Sequence, residues 1–141
     1  MHVVSVDPFV KGPPVNDIPQ CAGNEATWRV NARGNQSLFV GDLPAYAEAN
    51  PGERFGLIFH DGDHCLEVVA RDLRLAAGML TPHGVIAIHD YGRLEQRGAD
   101  GVQEGVDAFV AEGVFVLAAK IGAAGVLTRP VDMPRLSCLK V

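Results

Sequence analysis

Two short apolar runs, FGLIF at 55–59 and GVIAI at 84–88, each lead into a cluster of His and Asp. An uninterrupted apolar run bounded by polar turns predicts a strand buried on both faces, as in a parallel sheet covered by helices. Between the runs lies CLEVVARDLRLAAGML. Its apolar positions Leu66, Val69, Leu73, Ala76, Ala77 and Leu80 recur at three and four, while Glu67, Arg71, Asp72 and Arg74 are assigned to the opposite face, so the segment is an amphipathic helix. Asp63 or His64 is placed to cap its first turn, and Thr81-Pro82-His83-Gly84 to stop it, because Pro cannot continue a helix and Gly suits the turn. Strand, helix and strand in this order predict a right-handed crossover unit.

The flanking chain extends the alternation. HVVSV at 2–6 is a short strand closed by Asp7-Pro8, and residues 11–23 carry three prolines without any period, which predicts a loop. Asn24 begins a helix running to Arg33, with Trp28 either its core anchor or a platform stacked on a ligand base. SLFV at 37–40 is the next strand; a brief helix at 43–49 and the turn Asn50-Pro51-Gly52 lead into the central unit. After Tyr91 comes a polar loop at 92–101, then a helix with a stripe of Val102, Val106, Phe109 and Val110. VFVLAAK and AGVLTR, separated by Gly122, predict a closing antiparallel hairpin. The expected fold is α/β, a Rossmann-like, mostly parallel sheet with helices on both faces.

Size and charge narrow the function. With 141 residues and 48% hydrophobic content, one domain spanning 1–141 is expected. A net charge of −5 without a Lys/Arg run argues against a nucleic-acid partner, since phosphate contacts need clustered cations. The longest apolar stretch, 114–127, contains Lys120 and two glycines, so neither a signal peptide nor a membrane span is expected. Cys21, Cys65 and Cys138 are odd in number and far apart, which suits a reducing, cytoplasmic setting.

Candidate chemistry gathers where the two central strands end. Adjacent parallel strands place their carboxyl ends about 5 Å apart, at the edge where open α/β sheets bind ligands. His60, Asp61, Asp63 and His64 leave the first strand there, and His89 and Asp90 the second; four of the five histidines fall between residues 60 and 89. Asp61, His89 and Asp90 offer oxygen and imidazole ligands suited to magnesium, manganese, calcium or zinc. Without metal, His64 or His89 would serve as a general base near neutral pH. A helix cap at His64 and a backbone hydrogen bond at His89 are the structural alternatives. In a nucleotide-binding α/β sheet a strand-end carboxylate accepts both ribose hydroxyls, a task for which Asp7 is placed. Asp42 ends the next strand, where it would accept from the exocyclic amine of adenine between Leu43 and Phe9 as apolar walls, and Asp61 ends the third. The alternative for each is a solvated loop carboxylate.

Taken in order, VDPF at 6–9, VGDL at 40–43, FGLIFHDGDH at 55–64, LTPHGVIAIHDY at 80–91 and GVQEGVDAF at 101–109 resemble class I S-adenosylmethionine-dependent methyltransferases, in particular the DGDH-motif small-molecule O-methyltransferase-like group. The resemblance runs from about Val3 to Arg129. It implies a cofactor, S-adenosylmethionine, held by Asp7 and Asp42, and a divalent ion, magnesium or manganese, at Asp61, His89 and Asp90 that orients a substrate hydroxyl. His83 stands where the family's turn has its first Gly. The family also places a strand and a GxGxG-type loop ahead of the segment that begins here at His2, and no GxG occurs in this chain. The expectation is therefore a sheet lacking the family's first strand. Either its neighbours pair directly, or another chain of a homodimer donates a strand, or the sequence is part of a longer gene product. The implied function is O-methylation of a small molecule; a catalytically degenerate domain with an assembly or binding role is the alternative. A metal hydrolase comes last, because it leaves Asp7 and Asp42 without a task.

Overall fold

The computed structural model describes residues 2–7, 25–92 and 100–132, in two compact units, Met1–Asn50 and Pro51–Val141. In the first, β1 (Val3–Asp7), α1 (Glu25–Asn31), β2 (Gln36–Val40) and α2 (Leu43–Ala49) follow the predicted order. β1 and β2 pair in parallel from Val3↔Gln36 to Asp7↔Val40. Trp28 is half-buried, and its indole N–H donates to Ser5 Oγ at 3.2 Å, which ties α1 to β1. The rings of Phe39 and Tyr46 meet edge to face at 5.2 Å, joining β2 to α2. α2 stops at Asn50, whose backbone and side-chain N–H groups both donate to the Tyr46 carbonyl. Pro51 follows, unable to continue a helix.

The second unit contains β3 (Phe55–His60), α3 (Leu66–Gly78), β4 (Leu80–Ile88), α4 (Asp100–Ala111), β5 (Val116–Ile121), β6 (Ala124–Thr128) and a 3-10 turn at Pro130–Asp132. Its sheet order is β3-β4-β6-β5. β3 and β4 run parallel, while β6 is antiparallel to both β4 and β5. The predicted hairpin is thus present, and Gly122 supplies the left-handed residue (φ 57°) of its two-residue turn. Val69, Leu73, Val106, Phe109, Phe115, Ile86, Ile88 and Leu127 interlock between the two helices and the sheet. The stripe expected of α4 is realised, with Val102, Val106 and Phe109 buried and Val110 at its margin.

Three expectations give way. Thr81-Pro82-His83-Gly84 does not stop the helix: α3 ends at Gly78, and the four residues lie within β4 as an irregularity facing Phe55 to Leu57 of β3. Gly84 is required there, since a Cβ would sit 2.8 Å from the Phe55 carbonyl oxygen. Arg129 stabilises the same bend by donating to the carbonyls of Thr81 (3.1 Å) and Pro82 (3.0 Å), with its guanidinium over the Phe115 ring. Nor is β3 buried on both faces. It is an outer strand among the described residues, and Leu57 and Phe59 are 60% and 58% exposed. Finally, Asp72 is not on the solvent face of α3 but buried with the core.

Candidate functional site

The chemistry of the second unit begins with the register of its parallel strands. His60 pairs with Ile88, and the His89 N–H donates to the His60 carbonyl at 2.9 Å, carrying the pairing one step beyond the strand ends. Asp61 and His89 therefore emerge side by side. His89 Nδ1 lies 3.1 Å from Asp61 Oδ1 and 3.3 Å from Asp90 Oδ2. The same Oδ2 of Asp90 is 3.4 Å from His64 Nε2.

Extended backbone would send the side chains of His89 and Asp90 to opposite faces. Asp90 avoids this by taking a left-handed conformation, φ 59°, the single positive φ of a non-glycine residue among the described residues. Asp tolerates that region better than most side chains. The turn brings both groups to one point. One ligand atom each of Asp61, His89 and Asp90 lies within 4.8 Å of the others, with Asp61 exposed, His89 half-buried and Asp90 buried. A set of two carboxylates and an imidazole, with no thiolate, fits a magnesium or manganese ion and accommodates zinc.

The remaining sequence candidates lie beside this cluster or in the first unit. Asp63 is turned to its own backbone, accepting the Cys65 N–H at 2.7 Å in a tight local turn. Neither Asp63 nor His64 is the α3 N-cap, which is Cys65. In the first unit, Asp7 ends β1 opposite Val40, and the Gly41 N–H donates to its carbonyl at 3.1 Å. Asp42 is the N-cap of α2: its Oδ1 accepts the Ala45 N–H at 3.0 Å, and Leu43 is the first helical residue. Phe9 and the loop at 11–23 lie outside the described residues.

Two partnerships near the cluster were not read from the sequence. His60 is buried, and its Nε2 is 3.4 Å from Oδ2 of the buried Asp72, whose Oδ1 takes the Arg71 guanidinium at 2.7 Å. Burial pushes the Asp72 carboxyl up, but the hydrogen bonds from His60 and Arg71 outweigh it and leave the group below its ordinary value. The signal was available: Asp72 stands three residues after Val69 and next to Leu73, inside the apolar stripe. Tyr91 follows the cluster directly. Its hydroxyl donates to Asp107 of α4 at 3.0 Å, and partial burial together with that carboxylate raises the phenol above its usual value.

Comparison with known proteins adds a lineage to this geometry. Residues 1–91 match the profile of a family described as a methyltransferase domain. Among solved structures the chain is similar to the O-methyltransferase NovP, with a TM-score of 0.68 and 16% identity over 91% of this chain and 60% of that one. It is also similar to CalS11, a TDP-rhamnose 3'-O-methyltransferase of calicheamicin biosynthesis, with a TM-score of 0.60 and 16% identity over 90% of this chain and 57% of that one. At such identities the likeness is one of fold. The chain spans 60% of the length of NovP. No curated protein matches its sequence.

Proposed function

The chain belongs to the family of methyltransferase domains, and on that premise we propose that it serves an S-adenosylmethionine-dependent O-methyltransferase acting on a small molecule. The observation that carries this reading is the convergence of Asp61, His64, His89 and Asp90 where β3 and β4 end. O-methylation forms an oxygen–carbon bond while the carbon–sulfur bond of the sulfonium breaks and its electron pair returns to sulfur. The substrate hydroxyl must also lose a proton, so a base and an aligned oxygen are what the protein has to provide. An imidazole whose Nε2–H is accepted by a carboxylate keeps its lone pair on Nδ1. His64, with Nε2 facing Asp90, is assigned that acceptor role. Asp61, His89 and Asp90 would hold a magnesium or manganese ion. Such an ion, when bound, supplies positive charge that lowers the proton affinity of a hydroxyl. Without it, His89 is a second candidate base, its Nδ1 oriented by two carboxylates.

For the cofactor, Asp7 is assigned the ribose hydroxyls and Asp42 the adenine amine, with Leu43 as an apolar neighbour. Asp7 ends β1, and Asp42 stands two residues beyond the end of the parallel partner β2, its Oδ1 used for capping α2. Calorimetric titration of the full chain with S-adenosylmethionine and its demethylated product tests the reading: saturable heat is expected, diminished in Asp7→Ala. No heat and no thermal shift with either compound ends it. Titration with Mn2+ tests the ion separately, with binding expected in the wild type and at least ten-fold weaker in Asp61→Asn. A second reading, a non-catalytic domain acting in assembly, draws on β3, the outer strand of its sheet among the described residues, with its exposed Leu57 and Phe59. It predicts a dimer that neither binds cofactor nor turns over substrate.

A further inference from the structure

His60 has no task in the chemistry above, yet an imidazole occupies a buried strand end, where an aliphatic side chain would fill space without the cost of burying polar groups. Its ring lies on the side of β3 that faces Asp72 of α3, with Nε2 3.4 Å from Asp72 Oδ2. Asp72 is in turn fixed through Oδ1 by Arg71, at 2.8 Å from Nε and 2.7 Å from Nη2. The chain then folds back over the ring: a Cβ at Gly62 would lie 3.4 Å from both Cε1 and Nε2 of His60. The same residue reaches the cluster through its backbone, its carbonyl accepting the His89 N–H at 2.9 Å. Side chain and carbonyl thus link two structures, the buried acid of α3 and the paired ends of β3 and β4.

We propose that His60, anchored by Asp72, is a positioning residue that holds Asp61 and His89 at the separation a divalent cation requires. The proposal rests on the assignment of Asp61, His89 and Asp90 as a cation site, and it concerns how that site is kept assembled rather than what it binds. Residues behind metal ligands commonly set affinity by ten- to hundred-fold through orientation alone. An apolar residue at 60 would preserve the packing and lose the directional tie to Asp72. Glutamine would preserve a polar group at about the reach of Nε2.

Two measurements on the full chain separate this from bulk packing: the affinity for Mn2+ by calorimetry, and the hydrogen-exchange rate of the His89 amide in metal-free protein. His60→Leu is expected to weaken Mn2+ binding about ten-fold and to speed His89 amide exchange about ten-fold, while His60→Gln restores both to within about three-fold of wild type. If the wild type binds no Mn2+ but His89 exchange still responds to His60→Leu and is rescued by His60→Gln, positioning stands and the cation assignment falls. A folded His60→Leu protein with wild-type Mn2+ affinity and unchanged His89 exchange overturns the proposal. Should His60→Leu not fold, Asp72→Asn is read in the same two assays. Faster His89 exchange there supports the anchor, and an unchanged rate overturns it.

Discussion

Asp90 combines three constraints at one residue: a left-handed backbone, burial, and two imidazoles at one carboxylate oxygen. An L-residue without a polar side chain to compensate is disfavoured in that region by about 1–2 kcal/mol. Replacement by Ala and by Gly removes the same carboxylate but differs in backbone strain. Asp90→Gly is therefore expected to be more stable than Asp90→Ala by about 1 kcal/mol in urea unfolding, with Mn2+ binding weakened in both. A nearby titration gives a second residue-scale expectation. The Asp72 carboxyl is depressed below its ordinary value of 3.8 in the folded state. A group of that kind contributes stability that is present above the unfolded pKa and disappears as the pH falls through the folded one. Asp72→Asn should accordingly flatten the loss of stability below pH 4, which urea midpoints measured from pH 2 to 7 would show.

Helices α3 and α4 show how one substitution can have opposite signs within a unit. Gly105 of α4 passes so close to α3 that a Cβ would lie 2.8 Å from Val69 Cβ and 3.2 Å from the Leu66 carbonyl oxygen. Gly78, at the end of α3, has open space around the same position. Gly105→Ala is expected to lose about 1–2 kcal/mol, because overpacking exceeds the gain in helix propensity, and Gly78→Ala to gain about 0.5–1 kcal/mol. Thermal unfolding of the two variants would check both signs. The elements themselves were legible from periodicity: α2, the α4 stripe and the β5–β6 hairpin lie where the apolar pattern puts them. Less visible was β4's early start. Thr81-Pro82 reads as a stop signal, yet Arg129, 47 residues from Pro82 in the chain, donates to the carbonyls of that bend. The charge of Asp72 points to water, yet its position in the stripe faces it inward towards His60. The cluster of Asp61, His89 and Asp90 could be read because parallel strands juxtapose whatever follows them. The inward ion pair behind it depended on packing between β3 and α3.

At the scale of the whole molecule, every buried hydrophobic residue among those described except Tyr46 belongs to the unit Pro51–Val141. The unit Met1–Asn50 has a two-stranded sheet, an arrangement that is marginal on its own. A polypeptide of residues 51–141 is thus expected to unfold cooperatively in urea, and one of residues 1–50 to show no sigmoidal transition, as circular dichroism would establish. The outer strand β3 has a further consequence for the protein in solution. Among the described residues its far edge has no neighbouring strand, and with Leu57 and Phe59 exposed beside it such an edge is a template on which another extended chain can add. The apparent mass from light scattering should rise with protein concentration at neutral pH and rise less in Leu57→Lys, since a lysine on such a rim discourages sheet-to-sheet growth. How densely a purified sample is held would then help decide how long it stays clear.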